Sequence, residues 1–202
     1  MRESNMMLRN FFNSRAATWD ESVTERDVTK LAQMAKRLEL EPGATVLDVG
    51  TGTGIFLPYM LNMIGDNGII VAIDIADQML LRAKDKGVQY NVRYLYADIM
   101  SLPLANEIFD VVVCYSSFPH FQDKLRALSE AYRVARHGGR LLICHTSSRA
   151  HINEIHEQTE VVKHDTIADA DEMQSMLSAA GFADIAIEDG SDSYLVNVRK
   201  PQ

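Results

Sequence analysis

Several things are scarce in this sequence, and each scarcity removes a class of protein. Only two cysteines occur, Cys114 and Cys144, each inside an apolar run and neither in a metal or redox spacing. Two buried, reduced thiols are the expected state, and a disulfide-stapled scaffold is excluded. No apolar run approaches the roughly 20 residues of a membrane span. The opening M-R-E-S-N-M-M-L-R-N has no hydrophobic stretch of signal-peptide length. A cytoplasmic protein without a membrane partner is therefore expected. Basic residues are outnumbered, 20 Lys and Arg against 28 Asp and Glu, for a formal net charge of -8, and no Lys/Arg run occurs. Affinity drawn from a phosphate backbone is not expected, so nucleic acid is not an expected partner. Internal repeats and low-complexity tracts are also missing.

What is present is enough apolar material, 47% of 202 residues, for one domain with a substantial core. The stretch A-T-V-L-D-V-G-T-G-T-G-I, residues 44–55, organises it. A short apolar run ends in alternating Gly50, Gly52 and Gly54, which reads as a buried strand turning sharply into a helix. Ahead of it lies an arm carrying Phe11, Phe12 and Trp19. A helix through Val28, Leu31, Ala35 and Leu38 then follows, with Thr24–Asp27 resembling a capping box. Beyond the glycines, helix and strand alternate. A helix over 56–63 precedes a strand over 69–73, and a helix containing Met79, Leu80 and Ala83 precedes a strand over 92–97. A strong strand over 109–115, a helix over about 123–136 and a strand over 140–145 come next. A long segment, 146–168, has no clear pattern and reads as a functional cover or insertion. A helix over 169–180 leads to strands over 183–188 and 194–199, an antiparallel pair ending an otherwise parallel sheet.

Open α/β sheets bind ligands beyond the carboxyl ends of their parallel strands. Asp48 lies at the first of these ends, Asp74 at the second and Asp98 at the third. Each alone is equally well explained as a turn or helix cap, but three at successive strand ends point to a ligand. A carboxylate some twenty residues beyond the glycines is placed to accept hydrogen bonds from a ribose diol. The nucleoside is not a dinucleotide of the usual kind, because Ile55 stands near where the third glycine of G-x-G-x-x-G belongs. A Tyr-x-x-x-Lys pair and a G-x-x-x-x-G-K-[ST] phosphate loop are both missing.

V-L-D-V-G-T-G-T-G, V-A-I-D, Y-A-D-I, F-D-V-V-V-C-Y and R-H-G-G-R-L-L-I, in that order, resemble the class I S-adenosylmethionine-dependent methyltransferases, particularly the small-molecule branch that includes the ubiquinone and menaquinone methylases. The resemblance implies a Rossmann-like, doubly wound α/β fold with seven strands, the last antiparallel. It implies S-adenosylmethionine as cofactor. Asp48 and the loop of Gly50, Thr51, Gly52 and Gly54 would face the methionine part, and Asp74 with Ile75 the ribose. Met79 would lie beside the adenine, Asp98 and Ile99 at its edge, and Tyr115 and Ser116 near the carboxylate or sulfonium. Arg136-His137 replaces the Lys-Pro common before Gly-Gly in the family, a change confined to a turn. The strand-four sequence lacks the N/D-P-P-Y motif of the nucleic-acid amino methylases.

The expected reaction is methyl transfer to a small molecule by in-line displacement, where alignment does much of the work and no metal is required. A protic acceptor also needs a base, for which histidine is best suited near neutral pH. His120, His145 and His151 are the candidates, with Arg149 to hold an anionic group. For His120 and His145 a satisfied structural hydrogen bond is an equally good reading. His151 and His156, five residues apart, would diverge on one helix and are poor joint metal ligands. The implied organisation is one domain over 1–202: an arm or lid over 1–40, a cofactor core over 41–146, a substrate-side insertion over 147–168, and a terminal helix and strand pair over 169–202. A homodimer is the assembly to test. The competing reading is a non-catalytic module binding S-adenosylmethionine or a metal, with the histidine segment as a regulatory surface.

Overall fold

The computed structural model describes residues 3–22, 24–87 and 91–202. Its centre is a seven-stranded sheet of β1 (Thr45–Val49), β2 (Ile69–Asp74), β3 (Val92–Tyr96), β4 (Phe109–Tyr115), β5 (Ala135–His145), β6 (Ala183–Asp189) and β7 (Tyr194–Arg199). The order across the sheet is β3-β2-β1-β4-β5-β7-β6. The first five strands are parallel, and β7 inserts antiparallel between β5 and β6. This is the Rossmann-like arrangement expected from the alternation of strand and helix patterns.

The central strands are largely apolar on both sides because both faces of the sheet are covered. On one face Val46, Val111, Val113 and Leu142 pack with Leu31 and Met34 of α3 (Val28–Arg37) and Met60 of α4 (Leu57–Ile64). On the other, Leu47, Val112, Leu141 and Ile143 pack with Leu128 of α6 (Lys124–Val134) and Met173 of α8 (Ala170–Ala179). Adjacent residues thus enter opposite cores, as the two-residue repeat of a strand requires. Two elements precede this sandwich, α1 (Glu3–Arg15) and α2 (Trp19–Ser22), while α5 (Asp77–Asp85) follows β2.

Three expectations change. The start of α3 is capped by Asp27, whose carboxylate accepts from the backbone N–H groups of Thr29 and Lys30. The acid of the expected capping box, Asp27, is thus the N-cap itself, and Glu25, within the same stretch, is buried. Strand β5 begins at Ala135, so Arg136 and His137 belong to the strand rather than to the helix end. The patternless segment contains α7 (Arg149–Glu157), capped by Ser148, which accepts from the His151 N–H.

Candidate active site

The strand order reverses between β1 and β4, and the loops leaving their carboxyl ends separate there to form a cleft that opens to solvent. This is the place of a ligand site in an open α/β sheet. Ser117 closes its floor by donating to the Val49 carbonyl, 2.6 Å away, joining the ends of the two strands.

The glycine loop is shaped by contacts on both sides. The N–H groups of Gly50 and Thr51 both donate to the Ile73 carbonyl, at 2.9 and 3.0 Å. Gly50 has φ +73, and a Cβ there would lie 2.5 Å from Ser117 Cβ, so only glycine fits. Gly52 has φ +56 with nothing within 4 Å of its missing Cβ. It therefore borders open cleft, and a side chain would occupy the ligand's space. Thr51 is buried in the lining, its hydroxyl near the Asp48 carboxyl beneath the loop.

Asp74 lies at the end of β2. One oxygen accepts from the Ala76 N–H at 2.7 Å and the other from the Gly52 N–H at 2.8 Å. Its carboxyl is raised to about 6 by burial, against the lowering influence of the Ala76, Gly52 and Ile75 amides. A carboxylate offers about four lone-pair sites, so acceptor capacity remains for ribose hydroxyls. Ile75 and Met79 line the cleft beside it. Asp98, at the end of β3, caps a 3-10 turn through the Met100 N–H and accepts from Asn5 Nδ2 at 2.6 Å. Ile99 is next to it in the lining.

The N-terminal arm covers this half of the cleft. Leu8, Phe12 and Trp19 line it, Phe12 meeting Trp19 edge-to-face with centroids 5.4 Å apart. Arg9 and Asn13 donate to Asp77 of α5 at 2.5 and 3.0 Å, and the Asp77 carboxyl is held down at about 2, chiefly by Asn13. Asp20 accepts from the Thr53 hydroxyl and pairs with Lys86 at 2.6 Å. The third aromatic of the arm, Phe11, is not in the lining; it packs on Phe12 and under Arg15.

Beyond β4, Tyr115 stacks on Phe56 with centroids 4.3 Å apart, and its hydroxyl donates to the Glu25 carbonyl at 3.0 Å. Ser116, at φ +51, is a strained non-glycine position, and its hydroxyl donates to the Glu25 carboxylate. Glu25 also meets His145 Nδ1 at 3.1 Å. Burial works to raise the Glu25 carboxyl, but His145, Ser116 and the Thr146 amide together hold it below the usual carboxylate range.

Several residues expected at the site occupy other places. Asp48 is buried beneath the glycine loop and is not in the lining; burial lifts its carboxyl to about 7, with Thr51 opposing and Asp74 adding to the rise. Gly54 packs against Leu57 and Ala83 behind the loop. His145 is 1% exposed and holds Glu25 from the rear, because the end of β5 is already covered by the segment before α3. Arg149 is 2.6 Å from Asp189 and is committed to that ion pair. His151 is half exposed on the outer side of α7, near Glu154. Of the four catalytic candidates only His120 lines the cleft. Conversely, Asn5, Glu25 and Gln122 line it without having been singled out for the site. Glu25 carried a signal of a kind, an acid just before a helix, but that signal reads as capping.

Among the described residues, no group of three or more His, Cys, Asp or Glu side chains is placed to hold a metal ion, and no helix is long and apolar enough to cross a membrane.

A crossover α/β sheet with an antiparallel seventh strand and a glycine loop facing acids at two further strand ends defines a nucleoside-binding domain of the methyltransferase type. Residues 47–143 match the methyltransferase domain family. The chain is 33% identical over 156 residues, 72% of its length and 61% of the relative's, to a ubiquinone/menaquinone biosynthesis C-methyltransferase of Shewanella sediminis. An Enterobacter protein of the same name is 39% identical over 105 residues, 50% of this chain and 42% of that one. A solved S-adenosylmethionine-dependent methyltransferase from Aquifex aeolicus superposes with a TM-score of 0.73 at 26% identity, covering 93% of this chain and 98% of its own. The chain belongs to the class I S-adenosylmethionine-dependent methyltransferases. It spans about half the length of the curated relatives it matches. The cofactor of this class is S-adenosylmethionine, and the open Gly52 and the spare acceptor capacity of Asp74 fit it.

Proposed function

We propose that the protein transfers a methyl group from S-adenosylmethionine to a small aromatic acceptor held in the same cleft. The observation that carries this reading is the mixed lining of one cleft: Asp74, Asp98 and the glycine loop are its polar part, and Phe12, Trp19, Tyr115 and Phe121 add aromatic surface. When bound, S-adenosylmethionine supplies an electrophilic methyl carbon on a positively charged sulfur. Asp74 would hold the ribose diol, Asp98 and Ile99 the adenine edge, and the Gly50–Gly52 backbone the methionine part. The arm, residues 1–40, would act as a lid, excluding water through Leu8, Phe12 and Trp19, and residues 147–168 would cover the acceptor side. The aromatic lining suits a flat ring stacked or edge-packed on Phe and Trp. The relatives named for quinone biosynthesis support an acceptor of that kind.

The test is release of S-adenosylhomocysteine from S-adenosylmethionine over a panel of oxygen, nitrogen, sulfur and carbon acceptors. Turnover is expected with at least one aromatic member. Cofactor binding without turnover anywhere in the panel would favour a non-catalytic binding module and end the enzymatic reading.

A further inference from the structure

The chain after α7 turns back and delivers a carboxylate to a side chain of the cleft lining, His120. Asp165, 7% exposed, places Oδ2 2.9 Å from Nδ1 of His120, which sits in the 3-10 turn following β4. The delivery is anchored independently, because His156 of α7 bonds through Nδ1 to the Asp165 backbone carbonyl, and Gln122 donates to Asp165 Oδ1 at 3.4 Å. The His120 ring is held between Phe12 of the arm, with centroids 5.1 Å apart, and His156, 4.8 Å away. His120 lines the cleft, and its Nε2 makes no hydrogen bond to a described residue. A carboxylate accepting from Nδ1–H fixes the tautomer in which Nε2 carries the free lone pair. This gives a base and its orienting group.

We propose that His120 is the catalytic base of the transfer and Asp165 its positioning residue, so that the acceptor is a molecule with an acidic hydroxyl, phenolic or enolic. The inference rests on the methyl-transfer reading above. In the step, the O–H bond breaks and its proton passes to His120 Nε2. The oxygen's electron pair forms the new bond to the methyl carbon as the carbon–sulfur bond breaks, and that bond's electrons remain on sulfur. The imidazolium then returns its proton to solvent. The other charged or titratable groups around the pair are His156 of α7, Lys124 of α6, which faces Asp165, and Glu172 of α8, which faces Lys124.

Three measurements test this. Calorimetry with S-adenosylmethionine comes first: absence of binding refutes the cofactor reading itself, whereas the arms that follow concern only the base. Hydroquinone and catechol serve as phenolic probes, with a tertiary amine and a thioether as acceptors that have no proton to lose. The wild type should turn over a phenol, and His120→Gln should lose about 100-fold or more in kcat while binding S-adenosylmethionine within about twofold of wild type. Asp165→Asn should lose less, about 10-fold or more, because the imidazole remains. The rise of kcat with pH on the acidic side should vanish in His120→Gln. Full turnover by His120→Gln, or turnover only of the acceptors without a proton, overturns the proposal. So does failure to methylate either phenol in protein that binds the cofactor. Nitrogen-15 NMR of the histidine rings needs no acceptor: His120 in the wild type should be the Nδ1–H tautomer, and an Nε2–H tautomer contradicts the geometry.

Discussion

Asp48 and Asp74 are two buried carboxyls about one loop apart in space, and their environments give them different tasks. Asp74 receives backbone N–H groups on both oxygens and retains room for a ligand. Asp48 is lifted by burial from 3.8 to about 7 and lies under the loop. Because its folded value exceeds its unfolded one, the native state binds this proton more tightly, and its contribution to stability falls as pH rises from about 4 to about 7. Asp48→Asn should therefore raise the melting temperature of the ligand-free protein at pH 8 by more than it does at pH 5. An equal change at both pH values, measured by calorimetric scans, contradicts the assignment. The glycines give a second contrast. Gly50→Ala meets Ser117 Cβ at 2.5 Å with φ +73 and should cost about 2 kcal/mol or more in denaturant unfolding. Gly52→Ala meets nothing and should cost only about 1 kcal/mol, yet it should weaken S-adenosylmethionine binding because the added methyl enters the cleft. At this scale the sequence was legible where a residue type answers a backbone need, as with Gly50, or stands at a strand end, as with Asp74 and Asp98. It was not legible for Glu25 or Asp165, whose places depend on how distant segments pack rather than on their neighbours.

The arm covers part of the cleft without belonging to the sheet. It is held beside Asp74 and Asp98 by Arg9 and Asn13 on Asp77, by Asn5 on Asp98 and by Asp20 on Thr53 and Lys86. Arg9 and Asp77 are each about one-third exposed, so the ion pair alone is worth at most about 1 kcal/mol. Removing Arg9 and Asn13 together to alanine should weaken cofactor binding about 5- to 10-fold by depopulating the closed arm, with faster hydrogen exchange in α1. Faster exchange with unchanged affinity would show that the arm covers the core without serving the ligand. The lone tryptophan, Trp19, lies in the lining, so its fluorescence should respond to cofactor in the wild type and respond less in that double variant. The aromatics of the arm were visible in the sequence as residues needing something to pack on. Helix α7 was harder to see, since Ile152 is its one buried position and most of its other residues are polar.

At the scale of the whole molecule, the alternation of strand and helix patterns leads to the crossover sheet, and the reversal between β1 and β4 determines where a ligand must enter. That much follows from the order of elements, because buried parallel strands and their helices leave strong periodic marks. The histidine-bearing segment between β5 and α8 shows the limit of such marks. His145, Arg149 and His151 share a short stretch of chain, but the strand end, the ion pair with Asp189 and the outer face of α7 separate them. His120, from another loop, meets Asp165 instead. The proposed function requires this cleft to bind S-adenosylmethionine through the acid at the end of β2, which isothermal titration of the wild type and Asp74→Asn with S-adenosylmethionine measures. One site per chain is expected in the wild type and an affinity lower by about 10-fold or more in the variant, the loss of charge-assisted hydrogen bonds to the ribose. No binding by the wild type, or equal binding by a folded Asp74→Asn, would contradict it.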